Sequence, residues 1–328
     1  MKVSVIIPTL NRSAEFAAAL RSILGQTRLP AEIIVVDQSG DGRTQDVLEA
    51  VQKAHSGTPV QFKYVHQKEK SSVKARNRGI AMAKGDLVSF VDDDIVLDKN
   101  YLEAALRYFE SDPKVGGVMG NMRIFRAPGG FKWRLRKILL RAFLLNQFNG
   151  RMTASGFGYP IFERQIDKPV QVELFQAVAI YRKCFLDQEM FDEWFTGYCY
   201  REDAELSYRI SRLTKLLMVP DVLFFHKEAA SNRLSAAALK QMQIRNYHYV
   251  FEKHKHRNFL TYLIFAYSLS GIILIDFIEC LTNSRDVKFE KFFASIGATV
   301  SLLAWLIRKR RLSLLKVRNA PEHSQSLP

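Results

Sequence analysis

The sequence predicts an α/β fold, a mostly parallel sheet flanked by helices, followed by a hydrophobic helical tail. Three observations predict it. Short β-branched runs alternate with stretches of helical period as far as Val91. Several of these runs end in a carboxylate or a turn, as buried parallel strands do when they deliver polar groups to one sheet edge. From Phe259 onward the chain carries two long uncharged apolar runs.

Residues 3–7 form the first strand, and residues 13–24 a helix with Phe16, Leu20, Ile23 and Leu24 on one face, stopping at Gly25. Residues 32–36 are the second strand, ending in Asp37. A helix follows over 44–53, with Val47, Leu48 and Val51 on one face. A third strand spans 61–65, a third helix 72–83, and a fourth strand 87–91, which runs straight into Asp92-Asp93-Asp94. Strands alternating with helices of this length make a parallel sheet with right-handed crossovers. The pattern is Rossmann-like and of the nucleotide-binding type.

Adjacent carboxylates at Asp92, Asp93 and Asp94 repel one another, and a divalent cation held through oxygen, Mg2+ or Mn2+, is the natural counter-charge. A solvated acidic turn is the alternative. Position favours the cation, because open α/β sheets keep their ligands at the edge where this strand ends. Two further strand ends reach that edge: Pro8-Thr9-Leu10-Asn11-Arg12 after the first strand and Asp37-Gln38-Ser39-Gly40-Asp41-Gly42 after the second. Asp37 can accept a hydrogen bond from a base or a ribose; the other reading is a turn aspartate. Lys74, Arg76 and Arg78 sit on the third helix, and Arg76 is the candidate to meet a phosphate or the base, against the plainer reading of a solvated helix face. Neither GxGxxG nor GxxxxGK[ST] is present.

Composition bounds the rest. Three widely spaced cysteines, Cys184, Cys199 and Cys280, indicate neither a disulfide framework nor a cysteine metal site, and point to a reducing compartment. The apolar run after Met1 is short for a signal peptide and is expected to be a strand. The net charge of +15 is concentrated. Seven basic residues and no acid lie between Arg123 and Arg141 (Arg126 among them), and six more lie between Arg308 and Arg318. Both blocks adjoin apolar residues, which favours an anionic membrane surface and not a nucleic acid as partner.

Val5-Ile6-Ile7-Pro8-Thr9-Leu10-Asn11-Arg12, Ile34-Val35-Val36-Asp37-Gln38-Ser39-Gly40-Asp41-Gly42, the stretch from Lys74-Ala75-Arg76-Asn77-Arg78-Gly79 to Asp86, and Phe90-Val91-Asp92-Asp93-Asp94 together resemble the successive motifs of family 2 glycosyltransferases of the GT-A fold. The resemblance covers residues 1–258. It implies an inverting transfer of a sugar from a nucleoside-diphosphate sugar (UDP-, dTDP- or GDP-sugar), with Mg2+ or Mn2+ on the donor diphosphate. By that resemblance Asp37 contacts the base or ribose, and Asp92 and Asp94 are the outer acids of the DxD pattern. The donor nucleotide set is then Pro8, Thr9, Asn11, Arg12, Asp37, Arg76, Asp92 and Asp93.

An inverting transferase needs a general base beside the acceptor hydroxyl. Glu202-Asp203, followed by Leu206 and Arg209, resembles the family's ED motif at the start of a helix. It implies Asp203 as base and Glu202 as its neighbour or an acceptor contact. The plainer reading is that acids in a first helical turn complement the helix dipole. His226, after the β-rich run Val222-Leu223-Phe224-Phe225, resembles the histidine that some relatives use as a further metal ligand, so the implied metal set is Asp92, Asp94 and His226; a structural histidine is the alternative. Arg245-Asn246 is a candidate to close over the donor. Where many relatives have a small-residue Gly-Ala-Asn stretch, this chain has Phe175-Gln176-Ala177-Val178, which leaves the donor sugar unassigned. Residues 153–160 are expected to be a flexible loop near the acceptor, and residues 131–145, basic and apolar with Trp133, an interfacial helix or a buried one with a basic face.

The tail carries 17 uncharged residues over 259–275 and 16 over 292–307, near the ~20 that cross a hydrocarbon core. Basic residues at both outer ends predict a hairpin at 259–316 with its ends, and the catalytic domain, on the cytoplasmic face of the membrane. Two helices packed on the catalytic domain or on a second copy of the chain, a homo-oligomer, are the alternative. Residues 317–328 are expected to be disordered. The overall expectation is a glycosyltransferase acting on a glycan or glycolipid acceptor, lipid-linked or surface polysaccharide. A nucleotidyltransferase is one rival, although Pro8-Thr9-Leu10-Asn11 stands where its glycine-rich phosphate loop belongs. The other is a non-catalytic membrane-bound scaffold, which leaves Asp37, Asp92 to Asp94 and Asp203 without a purpose.

Overall fold

The computed structural model describes residues 1–123, 129–161, 165–197, 199–227, 234–256, 258–282 and 287–318. The contacts divide the chain into two compact units, Met1–Arg233 and Leu234–Pro328. Arg126 and residues 319–328 of the expected disordered tail lie outside the described residues.

The first unit runs β1 (Val3–Thr9), α1 (Ser13–Leu24), β2 (Glu32–Asp37), α2 (Arg43–Ala54), β3 (Gln61–His66), α3 (Ser72–Met82), β4 (Leu87–Phe90), β5 (Ile95–Leu97), α4 (Tyr101–Ser111), β6 (Val115–Met122), α5 (Gly130–Ala142), β7 (Val170–Val172), β8 (Ala179–Arg182), α6 (Lys183–Gln188), α7 (Glu202–Ser211) and β9 (Lys215–His226). One sheet has the order β3-β2-β1-β4-β8-β6-β9-β5, with β7 paired to β9. The four strands that the sequence predicts are parallel to one another. The second half of the sheet is mixed: β8 runs antiparallel to β4 and β6, while β6 and β9 are parallel.

Residues buried on both faces explain why β1, β2 and β4 read as unbroken apolar runs. β3 is the outer strand and is only partly buried, which fits its mixed composition. Register then places the site. Thr9 pairs with Asp37, Asp37 with His66, and Ile6 with Phe90, so the ends of β1, β2 and β4 open on one edge. Helix α3 is capped by Ser71, whose hydroxyl accepts from the Lys74 amide at 3.3 Å. It lies unusually close to β1: a methyl group on Gly79 would stand 2.5 Å from Ile6 Cγ2.

The segment expected as a flexible loop at 153–160 is instead packed: Ser155 and Phe157 are fully buried, and Thr153 bonds to Phe157 through both backbone and side chain. Helix α5 buries only Leu140 and leaves Phe131 and Ile138 exposed, so it is not the buried helix of the alternative reading.

The second unit holds α8 (Ala236–His254), α9 (Phe259–Thr282) and α10 (Val287–Arg318). Both apolar helices extend beyond the uncharged runs that announce them. Phe259–Leu281 and Phe289–Leu306, 23 and 18 residues, are long and apolar enough to cross a bilayer. The sequence-based boundary at 258 differs from the contact boundary, which groups α8 with these two helices.

Candidate active site

The turn after β1 is tied to the acidic turn after β4. The Thr9 hydroxyl donates to Asp93 at 2.9 Å, and Arg12 Nη1 donates to Asp93 at 3.1 Å and to Asp94 at 3.2 Å. Burial pushes the Asp93 carboxyl up to about 6, against the pull of Arg12 and the Thr9 hydroxyl. Burial disfavours the charged Arg12 guanidinium, yet Asp93 and Asp94 hold its pKa above the ordinary value. Asn11 adopts the left-handed conformation, φ 55°, and its amide donates to Ser39 Oγ at 2.7 Å, joining the first and second strand ends. Pro8 is buried within β1.

Asp37 is buried at the end of β2. One carboxylate oxygen accepts from the Ser39 amide at 2.8 Å and the other from the Tyr64 hydroxyl at 3.0 Å. This is the geometry of the turn reading of Asp37: both carboxylate oxygens are engaged and the side chain is held at the end of β2. Burial, then the bond to Asp37, pushes the Tyr64 phenol up to about 12.

Arg76 is the centre of the site. It is buried, not a solvated helix residue, and its guanidinium donates to Asp92 at 2.8 Å and to Glu202 at 2.9 Å. Phe191 lies beneath it at 5.5 Å. Its cationic form is stabilised by Asp92 and Glu202 despite burial. Arg76 thus brings the acid after β4 together with the first turn of α7, where Asp203 follows Glu202. Asp203 is partly exposed, and its carboxylate accepts from the Ala204 amide at 2.7 Å. Burial raises both Glu202 and Asp203 above the ordinary carboxylate range; Asp203 adds to the rise at Glu202, and Arg76 opposes both.

His226 closes β9 opposite Ile95, and its Nε2 stands 3.4 Å from Asp94 Oδ1. Adjacent ligands about 2.1 Å from one ion stand about 3 Å apart, so this oxygen and nitrogen fit a shared cation of the Mn2+ type. Among the described residues no three such side chains are gathered, and Asp92 is engaged by Arg76. Two protein donors would leave the remaining positions of such an ion to ligands from outside the chain, as at magnesium sites that keep several waters.

Sequence reasoning did not single out Asn77, Tyr64 or Arg201. The Asn77 amide donates to the Phe191 carbonyl at 2.9 Å and to Glu193 at 3.1 Å, and accepts from the Phe191 amide at 3.0 Å. It fixes the segment that floors Arg76, and its signal was present in the Arg76-Asn77-Arg78 motif. Arg201 opens α7 at φ 77° and donates to the Gly158 carbonyl. Arg209, read as part of the catalytic spacing, is an anchor: it pairs with Glu205 at 3.0 Å and with Glu189. Arg245 and Asn246 lie on α8, in the second unit.

Comparison with known proteins identifies the fold and the family. A glycosyltransferase of Nostoc sp. (strain PCC 7120) is 32% identical over 124 residues, 38% of this chain and 37% of that protein. A glycosyltransferase of Rickettsia bellii is 35% identical over 111 residues, 34% of this chain and 15% of that protein. The aligned part is thus well under half the length of either relative. Two solved structures share the fold at low identity. Staphylococcus aureus TarS 1-349 in complex with UDP-GlcNAc has a TM-score of 0.57 and 18% identity over 90% of this chain and 80% of that one. The mannosyltransferase PcManGT from Pyrobaculum calidifontis, in complex with GDP-Man and Mn2+, has a TM-score of 0.55 and 17% identity over 95% and 80%. The sheet with its flanking helices is accordingly of the GT-A type. Residues 4–175, more than half of the chain, match the family described as Glycosyl transferase family 2, and the chain belongs to that family.

Proposed function

We propose that the chain is an inverting glycosyltransferase that moves a sugar from a nucleoside-diphosphate sugar to a hydroxyl of a lipid-linked or surface-polysaccharide acceptor, at the cytoplasmic face of a membrane. The observation that carries this reading is the Arg76 bridge, which holds Asp92 and the Glu202-Asp203 pair at one open sheet edge. The bound nucleotide sugars of TarS and PcManGT support it.

In this reading Asp37, oriented by Ser39 and Tyr64, receives the base or ribose, with Pro8, Thr9, Asn11 and Arg12 forming the adjoining wall. Asp203 takes the proton of the attacking hydroxyl; such a base contributes ~10² to 10⁴ in rate. Its raised pKa suits that task, because a carboxylate of ordinary acidity is a weak acceptor. Glu202, neutralised by Arg76, holds the first turn of α7 in place and leaves Asp203 as the acid facing outward. Attack from the side opposite the departing diphosphate inverts the anomeric centre. Asp94 and His226 are the residues that would hold a divalent cation, which when bound supplies positive charge to the leaving diphosphate, worth about 4 kcal/mol per unit-charge pair at ~4 Å and an effective dielectric near 20.

Calorimetric titration with UDP, GDP, dTDP and CDP, each with and without Mn2+, tests the donor half of this reading: one nucleotide binds, and more tightly with the metal. Asp203→Asn tests the chemistry. Nucleotide binding persists while transfer falls by two to four orders of magnitude; unchanged transfer would remove Asp203 from the role of base.

A further inference from the structure

The hairpin of the second unit is apolar on its outer face as well as its inner one: Phe265, Leu269 and Ile272 of α9 are buried. In α9, Leu263, Leu274, Phe277 and Leu281 are exposed and recur at helical spacing along one stripe, and in α10 Phe289, Phe293, Val300 and Leu303 are exposed. A polar cluster is enclosed within the apolar interior. Asp276 of α9 is 2% exposed, 2.6 Å from Lys240 of α8 and 3.5 Å from Lys291 of α10, and Ser295 of α10 donates to it. A water-facing helix carries an apolar stripe inward only and polar residues outward, whereas α9 and α10 carry a second apolar stripe outward.

Helix α8 follows the ordinary pattern. Its exposed positions include Gln241, Arg245 and Lys253, spaced on one face, and it is held against the hairpin at several heights. Lys240 meets Asp276 near one end; His248 lies 5.7 Å from Phe265 and 5.8 Å from Trp305; Phe251 stacks on Phe265 at 4.7 Å. The three helices therefore have one polar side, made by α8, and one apolar side, made by α9 and α10.

A hairpin that crosses a bilayer needs apolar surface all round, and here α8 would have to enter with it. Each arginine or lysine at mid-bilayer costs roughly 2.5 to 3.5 kcal/mol on insertion scales. Resting on the membrane-associated part of the proposed function, we infer that α8, α9 and α10 form a unit that lies in the plane of an anionic phospholipid surface, with the α9–α10 face in the lipid and α8 facing water, and does not span the bilayer. Charge complementarity selects the lipid: from residue 234 onward there are 14 Lys and Arg against six Asp and Glu, a net +8.

The test is a full-length chain carrying Lys255→Cys, before α9, and Ser284→Cys, between α9 and α10. It is reconstituted into phosphatidylcholine vesicles with and without phosphatidylglycerol, and a membrane-impermeant maleimide is added outside. Mapping of the labelled peptides, relative to the parent chain, counts labels per molecule. In-plane helices put both positions on one side, so each molecule takes both labels or neither, and binding is strengthened at least tenfold by phosphatidylglycerol. One label per molecule means a spanning hairpin and overturns the inference while leaving membrane association intact. Failure to bind either vesicle overturns membrane association itself, and a stable dimer in light scattering would then identify a second copy as the cover of the apolar face. Leu263→Glu with Phe277→Glu, both on the exposed stripe, reduces vesicle binding at least tenfold without altering helix content; unchanged binding overturns the inference.

Discussion

Arg76 on α3 donates to Glu202 on α7 at 2.9 Å, across 126 residues of chain. The bond joins the half of the unit that holds the proposed donor residues to the half that carries the acid pair. Replacement by lysine keeps one charge and loses the planar fork that serves two carboxylates. Arg76→Lys is expected to reduce kcat by one to two orders of magnitude and to lower stability by about 1 to 3 kcal/mol, read from steady-state rates and urea unfolding.

The proposed role of Asp203 as base fixes the acid limb of the pH–rate profile. A base must be deprotonated, and its pKa lies above the ordinary carboxylate value, so activity falls as pH drops through that raised value and not through ~4. A profile of kcat against pH shows this limb, and Arg76→Lys moves it upward if the positive charge is held less closely.

Stability responds with the opposite sign at Asp93. Its pKa is raised in the folded chain from 3.8 to about 6, so its protonated form is favoured by folding. The contribution is fully present below pH ~4 and is lost as pH rises through ~6. Urea midpoints of the parent and Asp93→Asn across pH 4 to 7 should diverge upward through that window, the asparagine variant losing less stability as pH rises.

At the donor end, Asp37→Ala removes the carboxylate that Ser39 and Tyr64 orient, and nucleotide affinity is expected to fall ten- to hundredfold, the range of a lost charged hydrogen bond. Tyr64→Phe removes only an orienting partner, so calorimetry should show a smaller loss.

His226→Ala leaves Asp94 as the single side chain of the proposed cation pair. The metal dependence of nucleotide binding should shift to at least tenfold higher Mn2+, with metal-free affinity unchanged; an unaltered Mn2+ dependence would return His226 to a structural role.

Much of the fold was legible because β1, β2 and β4 are buried on both faces, and the intervening helices carry a clean apolar stripe. The mixed half was not: β8 has four residues and β7 three, too short for a period, and their direction is set by pairing with distant strands. Within the site, the residues at strand ends were readable, since Thr9, Asp37 and Asp92 to Asp94 follow directly from where strands stop. Arg76 was readable as a candidate but not as the buried partner of two acids, because its burial depends on Phe191 and Glu202, more than a hundred residues away. The outward apolar face of α9 was invisible for a similar reason: Asp276 counts against a membrane helix in sequence, and its partners Lys240, Lys291 and Ser295 show why it is tolerated.

The missing side chain at Gly79 has a consequence well beyond its own packing. Because a methyl group there would strike Ile6, the depth at which α3 rests on β1 is set by that one absence. Arg76 is one helical turn away, so any larger residue at 79 that lifts the helix must also withdraw the guanidinium from Asp92 and Glu202. A lesion at a position that carries none of the proposed catalytic or donor groups would thus present as an enzyme slow in chemistry, and a screen sorting variants by fold alone would pass it.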